Sequence, residues 1–256
     1  MKKRNVNLIL FCIVLALLIA IPFVSKNLFT TNSSAPWQLS PFNSGDSLSA
    51  TYKERYPVLD QQPLIHRIKD TTQTIVSVMV DSWGVPYDEK MLAEDFAIFD
   101  SKTAQFALHK RFLGHTSHAE NVEMRTGFKD GLSIVSGDSA ECVKLEAQPR
   151  FGAKQTFCCL NCTDMEVAGS LDSLLADTTW KRMEWTAHET SQGEREKLNS
   201  LLRQLSDVAA KHPEVQFIIQ GTHRPILGTP ETRRKYNAHW VPAVFLNTKI
   251  RIPDKK

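Results

Sequence analysis

The sequence predicts an α/β domain, a sheet flanked by helices, preceded by one N-terminal transmembrane helix. Three observations predict it. Residues 74–80, "TIVSVMV", are β-branched and apolar apart from Ser77, as in a strand covered on both faces. Residues 191–213, "SQGEREKLNSLLRQLSDVAAKHP", have helical spacing and run directly into a second apolar stretch, Val215 to Ile219. Residues 8–24, "LILFCIVLALLIAIPFV", carry no charge and follow Lys2, Lys3 and Arg4.

The apolar N-terminal run is roughly 25 Å long as a helix. That is at the short end for crossing a bilayer and at the long end for a signal-peptide core. No clean small-x-small cleavage site follows it. An uncleaved signal anchor is expected over residues 1–26, with a cleaved signal peptide as the alternative. In both cases the basic tip stays cytoplasmic and the rest is exported. The expectation is a single-pass protein of the inner membrane with its globular part on the periplasmic, extracytoplasmic side. Residues 27–62 are rich in Ser, Thr, Asn and Pro and read as a linker, leaving 63–256 for the domain.

Charge narrows the partners. The chain has 256 residues, 31 basic against 28 acidic, for a net charge of +3. This near balance, without a basic stripe interleaved with aromatics, argues against a nucleic-acid binder. Arg233, Arg234 and Lys235 read as a solvated face.

The first strand ends in "DSWG", so Asp81 stands at its C-terminal end before a glycine turn. In "FLGHTSHAENVEMRTGF", residues 112–128, Thr116 or Ser117 can cap a helix that Gly127 ends. A hydroxyl there sits among unpaired N–H groups at the positive end of the helix dipole, a setting that binds oxyanions, although a plain N-cap is the commoner use.

Four of the five cysteines, Cys142, Cys158, Cys159 and Cys162, follow the apolar run. In an exported domain they can form two disulfides, with the pairing left open by the sequence. Cys159-x-x-Cys162 also has zinc-knuckle spacing, and a reduced structural pair is a third reading.

In the late helix, Leu198, Leu201, Leu202, Leu205, Val208 and Ala209 share one face, and Pro213 ends it. Ser191 and Glu194 have capping-box spacing. The strand at 215–219 leads into "QGTHRP", and a third apolar run, 241–246, "VPAVFL", completes the pattern. Ligand crevices of open α/β sheets lie beyond the strands' C-terminal ends, where Asp81 and the Thr222-His223 pair both stand.

The order of these pieces resembles the alkaline phosphatase and sulfatase superfamily, and within it the membrane-anchored, exported branch of lipoteichoic acid synthases and phosphoethanolamine transferases. The likeness covers roughly residues 72–247. It rests on "VMVDSWG", Gly114-His115-Thr116, "WTAHETS" with His188, and "IIQGTHRP" followed by "WVPAVFL". The resemblance implies metal ligation by Asp81, Thr116 and His223, a Thr116 nucleophile, and a substrate-binding or leaving-group role for His188. In such a site Arg224 would bind substrate by adding a fixed charge near its oxygens. The implied cofactor is a divalent metal, Zn or Mn, and the implied substrate a phosphate or sulfate ester of the cell envelope. Elements between Gly127 and Thr178 are expected to be shortened, and Thr222 stands where the family has an aspartate. Glu120 and Glu189 are the nearest acids that could compensate, and His115 and His118 could substitute as ligands. The alternative function is a catalytically inactive, membrane-anchored relative that binds an anionic ligand or acts as a scaffold.

Overall fold

The computed structural model describes residues 48–100, 102–112, 116–176, 179–190 and 193–252. The expected N-terminal anchor, Gly114, His115 and Ser191 lie outside them. No helix among the described residues is long and apolar enough to cross a membrane.

An eight-stranded sheet forms the centre, in the order β1-β3-β8-β7-β2-β6-β4-β5. The strands are β1 (Val58–Leu59), β2 (Ile75–Val80), β3 (Ala104–Lys110), β4 (Leu132–Gly137), β5 (Gln155–Leu160), β6 (Arg182–Ala187), β7 (Gln216–Gly221) and β8 (Trp240–Leu246). Only β8 runs against its neighbours, β7 and β3; the other pairs are parallel. The helices are α1 (Ala50–Arg55), α2 (Glu89–Phe96), α3 (Thr116–Gly127), α4 (Ser139–Ala147), α5 (Asp164–Leu175), α6 (Arg195–Lys211) and α7 (Pro230–Arg234).

Pleat parity sorts β2 between two cores. Val76, Val78 and Val80 pack in the larger cluster with Leu198, Leu202 and Leu205 of α6. Ile75 and Met79 face the other way, with Met124 and Phe128 from the α3 side. Asp81 continues that second file by parity. All six apolar residues predicted on α6 are buried, and His212 caps the helix just before Pro213.

One expectation needs correcting. Residues 48–62 were expected to be linker but belong to the globular unit. Leu48, Tyr52, Tyr56 and Leu59 are buried, and the Tyr52 hydroxyl donates to the Pro86 carbonyl at 2.7 Å. A one-and-a-half-turn helix capped by Ser49 is too short to show periodicity, so two buried tyrosines four residues apart carry the segment instead. The stretch after Gly127 contains two strand-helix units, β4-α4 and β5-α5. Disulfides join Cys142 of α4 to Cys158 of β5, and Cys159 to Cys162, so all four sulfurs are bound to one another.

Candidate active site

The backbone ladder continues one residue beyond the strands. The Asp81 N–H donates to Ala187 at the end of β6, and the Thr222 N–H donates to Val80 at the end of β2. This sets Asp81, Thr222 and the residue after Ala187, His188, side by side on the sheet's C-terminal edge. The loops there interlock through glycine. A Cβ on Gly84 would lie 2.7 Å from the Cα of Arg224, so the "DSWG" turn presses directly on "GTHR". Ser82 takes a positive φ of 61°, a conformation costly for a non-glycine residue and concentrated at functional turns. Thr190 donates its hydroxyl to the Asp81 carbonyl at 2.5 Å, tying the "HET" loop to the same turn.

Helix α3 brings Thr116 to this edge. Thr116, Glu120 and Glu123 lie at i, i+4 and i+7, one face of the helix, and both glutamates are buried. Thr116 Oγ1 lies 3.2 Å from Asp81 Oδ1, 3.0 Å from His223 Nε2 and 3.4 Å from Thr222 Oγ1. Thr222 donates to Asp81 Oδ1 at 3.2 Å, and His223 Nε2 is 3.0 Å from the same oxygen. His223 Nδ1 donates to the Arg224 carbonyl at 2.7 Å, which fixes the ring and leaves Nε2 as the atom facing the carboxylate.

Two acceptors facing each other at that distance require a positive charge, either a proton on Nε2 or a cation shared by both. Mutual spacings of 3.0–3.4 Å match neighbouring ligands of a cation with bonds of about 2.1 Å. One carboxylate, one imidazole and two hydroxyls therefore fit a small divalent ion. The set carries a single formal negative charge. Among the described residues no group of three or more His, Cys, Asp or Glu side chains is placed to hold a metal.

Burial works against ionising Asp81, but hydrogen bonds from His188 and His223 outweigh it and hold the carboxyl well below the usual range. His188 is more exposed, with Nδ1 3.8 Å from Asp81 Oδ2, and this contact raises its pKa. The compensating acids do not join the cluster. Glu120 pairs with Arg150 at 3.0 Å, and Glu189 is exposed with its backbone N–H on Asp164. His118 is exposed on α3. Arg224 is buried directly after His223.

No family model matches the chain, and no curated protein matches it. Solved structures do. The lipoteichoic acid synthase LtaP of Listeria monocytogenes is 8% identical, with 72% of this chain and 66% of that one covered and a TM-score of 0.39. The C-terminal periplasmic domain of EptC from Escherichia coli is 10% identical, with 69% and 72% covered and a TM-score of 0.43. An alkaline phosphatase superfamily protein of Vibrio parahaemolyticus is 10% identical, with 90% and 72% covered and a TM-score of 0.33. This chain thus spans about two thirds of the synthase's length. At these values the likeness concerns the course of the chain, and the chemistry rests on the site's own atoms.

Several participants escaped the sequence. Ser82 and Thr190 shape the turn that carries Asp81. Asp95 accepts from Trp83 Nε1 at 3.1 Å and pairs with Arg195 at 2.7 Å, fixing the same turn from α2 and α6. In the sequence Asp95 is an acid in the last turn of α2 and looks like ordinary helix surface.

Proposed function

We propose that this domain is a metal-dependent hydrolase or transferase acting on a phosphate or sulfate ester of the cell envelope, with Thr116 as nucleophile. The observation that carries the reading is the convergence of Asp81, Thr116 and His223 within 3.0–3.2 Å from three separate elements. Asp81, His223, Thr116 and Thr222 would hold the divalent ion, Zn or Mn in character. When bound, the ion supplies charge neutralisation at the ester and lowers the pKa of the attacking hydroxyl.

The chain's own groups supply the rest. With the ion bound, Thr116 Oγ1 would pass its proton to solvent water and offer its lone pair to the ester, and it takes a proton back from water when it is displaced. Its oxygen bonds to the phosphorus or sulfur as the bond to the leaving alcohol breaks. His188 gives the leaving oxygen a proton. Water or an acceptor alcohol then loses its proton to His188 and displaces Thr116. The exported, membrane-anchored placement follows from the N-terminal sequence.

Thr222 favours a second reading. A hydroxyl in place of a carboxylate weakens a cation site, and an inactive relative that binds an anionic ligand would need no tight metal. Turnover of aryl phosphate and aryl sulfate by the full-length protein with added Zn or Mn, wild type against Thr116→Ala, separates the two. Turnover lost in the variant supports the enzyme. Absence of any Thr116-dependent turnover with either ester overturns it.

A further inference from the structure

Arg111 is a buried cation with no carboxylate counter-charge among the described residues. It follows β3, and its backbone is pinned on both sides: its N–H donates to His239 at 3.0 Å, and its carbonyl accepts from the Gln61 side chain at 2.5 Å. The residue is only 4% exposed. Its Nε has no hydrogen-bond partner, and no carboxylate pairs with its guanidinium among the described residues. Arginine buried this deeply is ordinarily paired, because an uncompensated buried charge is strongly destabilising.

Its surroundings add a second positive charge. Lys110 stands opposite Trp240 of β8, and Ala243 of β8 stands opposite Gln220 of β7. Arg111 and the His223-Arg224 turn therefore lie at the same edge of the sheet, on either side of the start of β8. Neighbouring strands are about 4.8 Å apart, so the two positions are separated by a distance that arginine side chains span. The Trp240 carbonyl also holds Val85 at 3.1 Å, which brings the "DSWG" turn to the same place. Burial lowers the pKa of Arg111, and the charge of Arg224 lowers it further, to about 10. Two like charges thus stand on the sheet edge that also carries His223.

From this arrangement we propose that Arg111, with Arg224, holds the tetrahedral oxyanion, phosphate or sulfate, of the ester. The inference rests on the ester reading above and assigns the anion-binding half of that site. The planar guanidinium fork matches such oxyanions in bidentate fashion, and the bound anion supplies the negative charge that no described carboxylate gives Arg111. The protein has accepted a destabilised unliganded state at this point, so the anion should stabilise it by mass action.

The test is thermal unfolding of the full-length protein in detergent, in chloride, inorganic phosphate or inorganic sulfate at matched ionic strength. At an anion concentration about tenfold above Kd, the wild type should unfold about 4 °C higher than in chloride. The larger of the phosphate and sulfate shifts identifies the ester class. Arg111→Met should unfold above wild type in chloride and show no anion shift. Arg111→Lys keeps the charge without the fork and should fold with a reduced shift. An unchanged anion shift in Arg111→Met overturns the proposal. If that variant does not fold, a full shift in Arg111→Lys overturns it equally. Loss of Thr116-dependent turnover with an Arg111-dependent anion shift intact would remove the ester chemistry and leave the anion site standing. Turnover with an unaltered KM and an unaltered anion shift in Arg111→Lys would do the reverse.

Discussion

The carbonyl oxygen of Trp83 lies 1.7 Å from where a Cβ on Gly221 would stand, so the end of β7 and the turn after β2 touch backbone to backbone. This contact brings Asp81 and the Thr222-His223 pair within hydrogen-bonding range although 141 residues separate Asp81 from Thr222. Gly221→Ala should therefore push the turns apart. It is expected to cost about 2–4 kcal/mol, read as a fall in denaturation midpoint, and to reduce ester turnover in the protein that still folds.

Thr222 is the position at which the cation site can be strengthened. Its hydroxyl already lies 3.2 Å from Asp81 Oδ1, where a second carboxylate would add charge to the ligand set. Thr222→Asp should raise divalent-metal affinity by on the order of tenfold or more, since affinity follows ligand charge. Titration calorimetry with Zn and Mn checks it, and unchanged affinity would place the cation elsewhere.

Two buried acids make stability depend on pH. Burial pushes the Glu123 carboxyl up to about 8 and the Glu184 carboxyl up to about 7. A carboxyl whose folded pKa is raised binds more protons folded than unfolded. Its contribution is fully present below the unfolded value, near 4.5, and is lost as pH rises through 7 to 8. Glu123→Gln and Glu184→Gln should each flatten this loss, with unfolding temperatures above wild type at pH 8 by roughly 3–5 °C and little gain at pH 4. Parallel pH profiles in variant and wild type would contradict the assignment.

The disulfides should differ in their worth. Cys142–Cys158 closes a span of 16 residues and ties α4 to the edge strand β5, whereas Cys159–Cys162 closes only three. Chain-entropy arguments give about 3 kcal/mol for the first and about 2 kcal/mol for the second. Replacing each pair by alanines and comparing urea midpoints checks the order.

The sequence made some elements plain for physical reasons. Strands β2, β7 and β8 are covered on both faces, so every position had to be apolar or nearly so, and α6 lies on the sheet with one clean apolar stripe. Edge strand β5 alternates only weakly, with Gln155 and Leu160 exposed, and its pattern does not rise above that of a loop. Helix α3 is the instructive case. It buries Glu120 and Glu123 beside Ala119 and Met124 and leaves Thr116 half-buried, so its inward face mixes acids with apolar residues and an apolar-stripe search passes over it. Asp81, Thr116 and His223 were legible because each ends or begins an element. Arg111 and Thr190 were not, because their importance lies in neighbours distant in the chain.

The most direct test of the account measures metal content and turnover together. Full-length wild type and Thr116→Ala are compared for bound Zn or Mn and for hydrolysis of aryl phosphate and aryl sulfate. The account predicts metal in the wild type, with turnover that falls by a factor on the order of a thousand or more in the variant, the scale expected for loss of a covalent nucleophile. Equal turnover in the two proteins, or none in either with metal supplied, would contradict it.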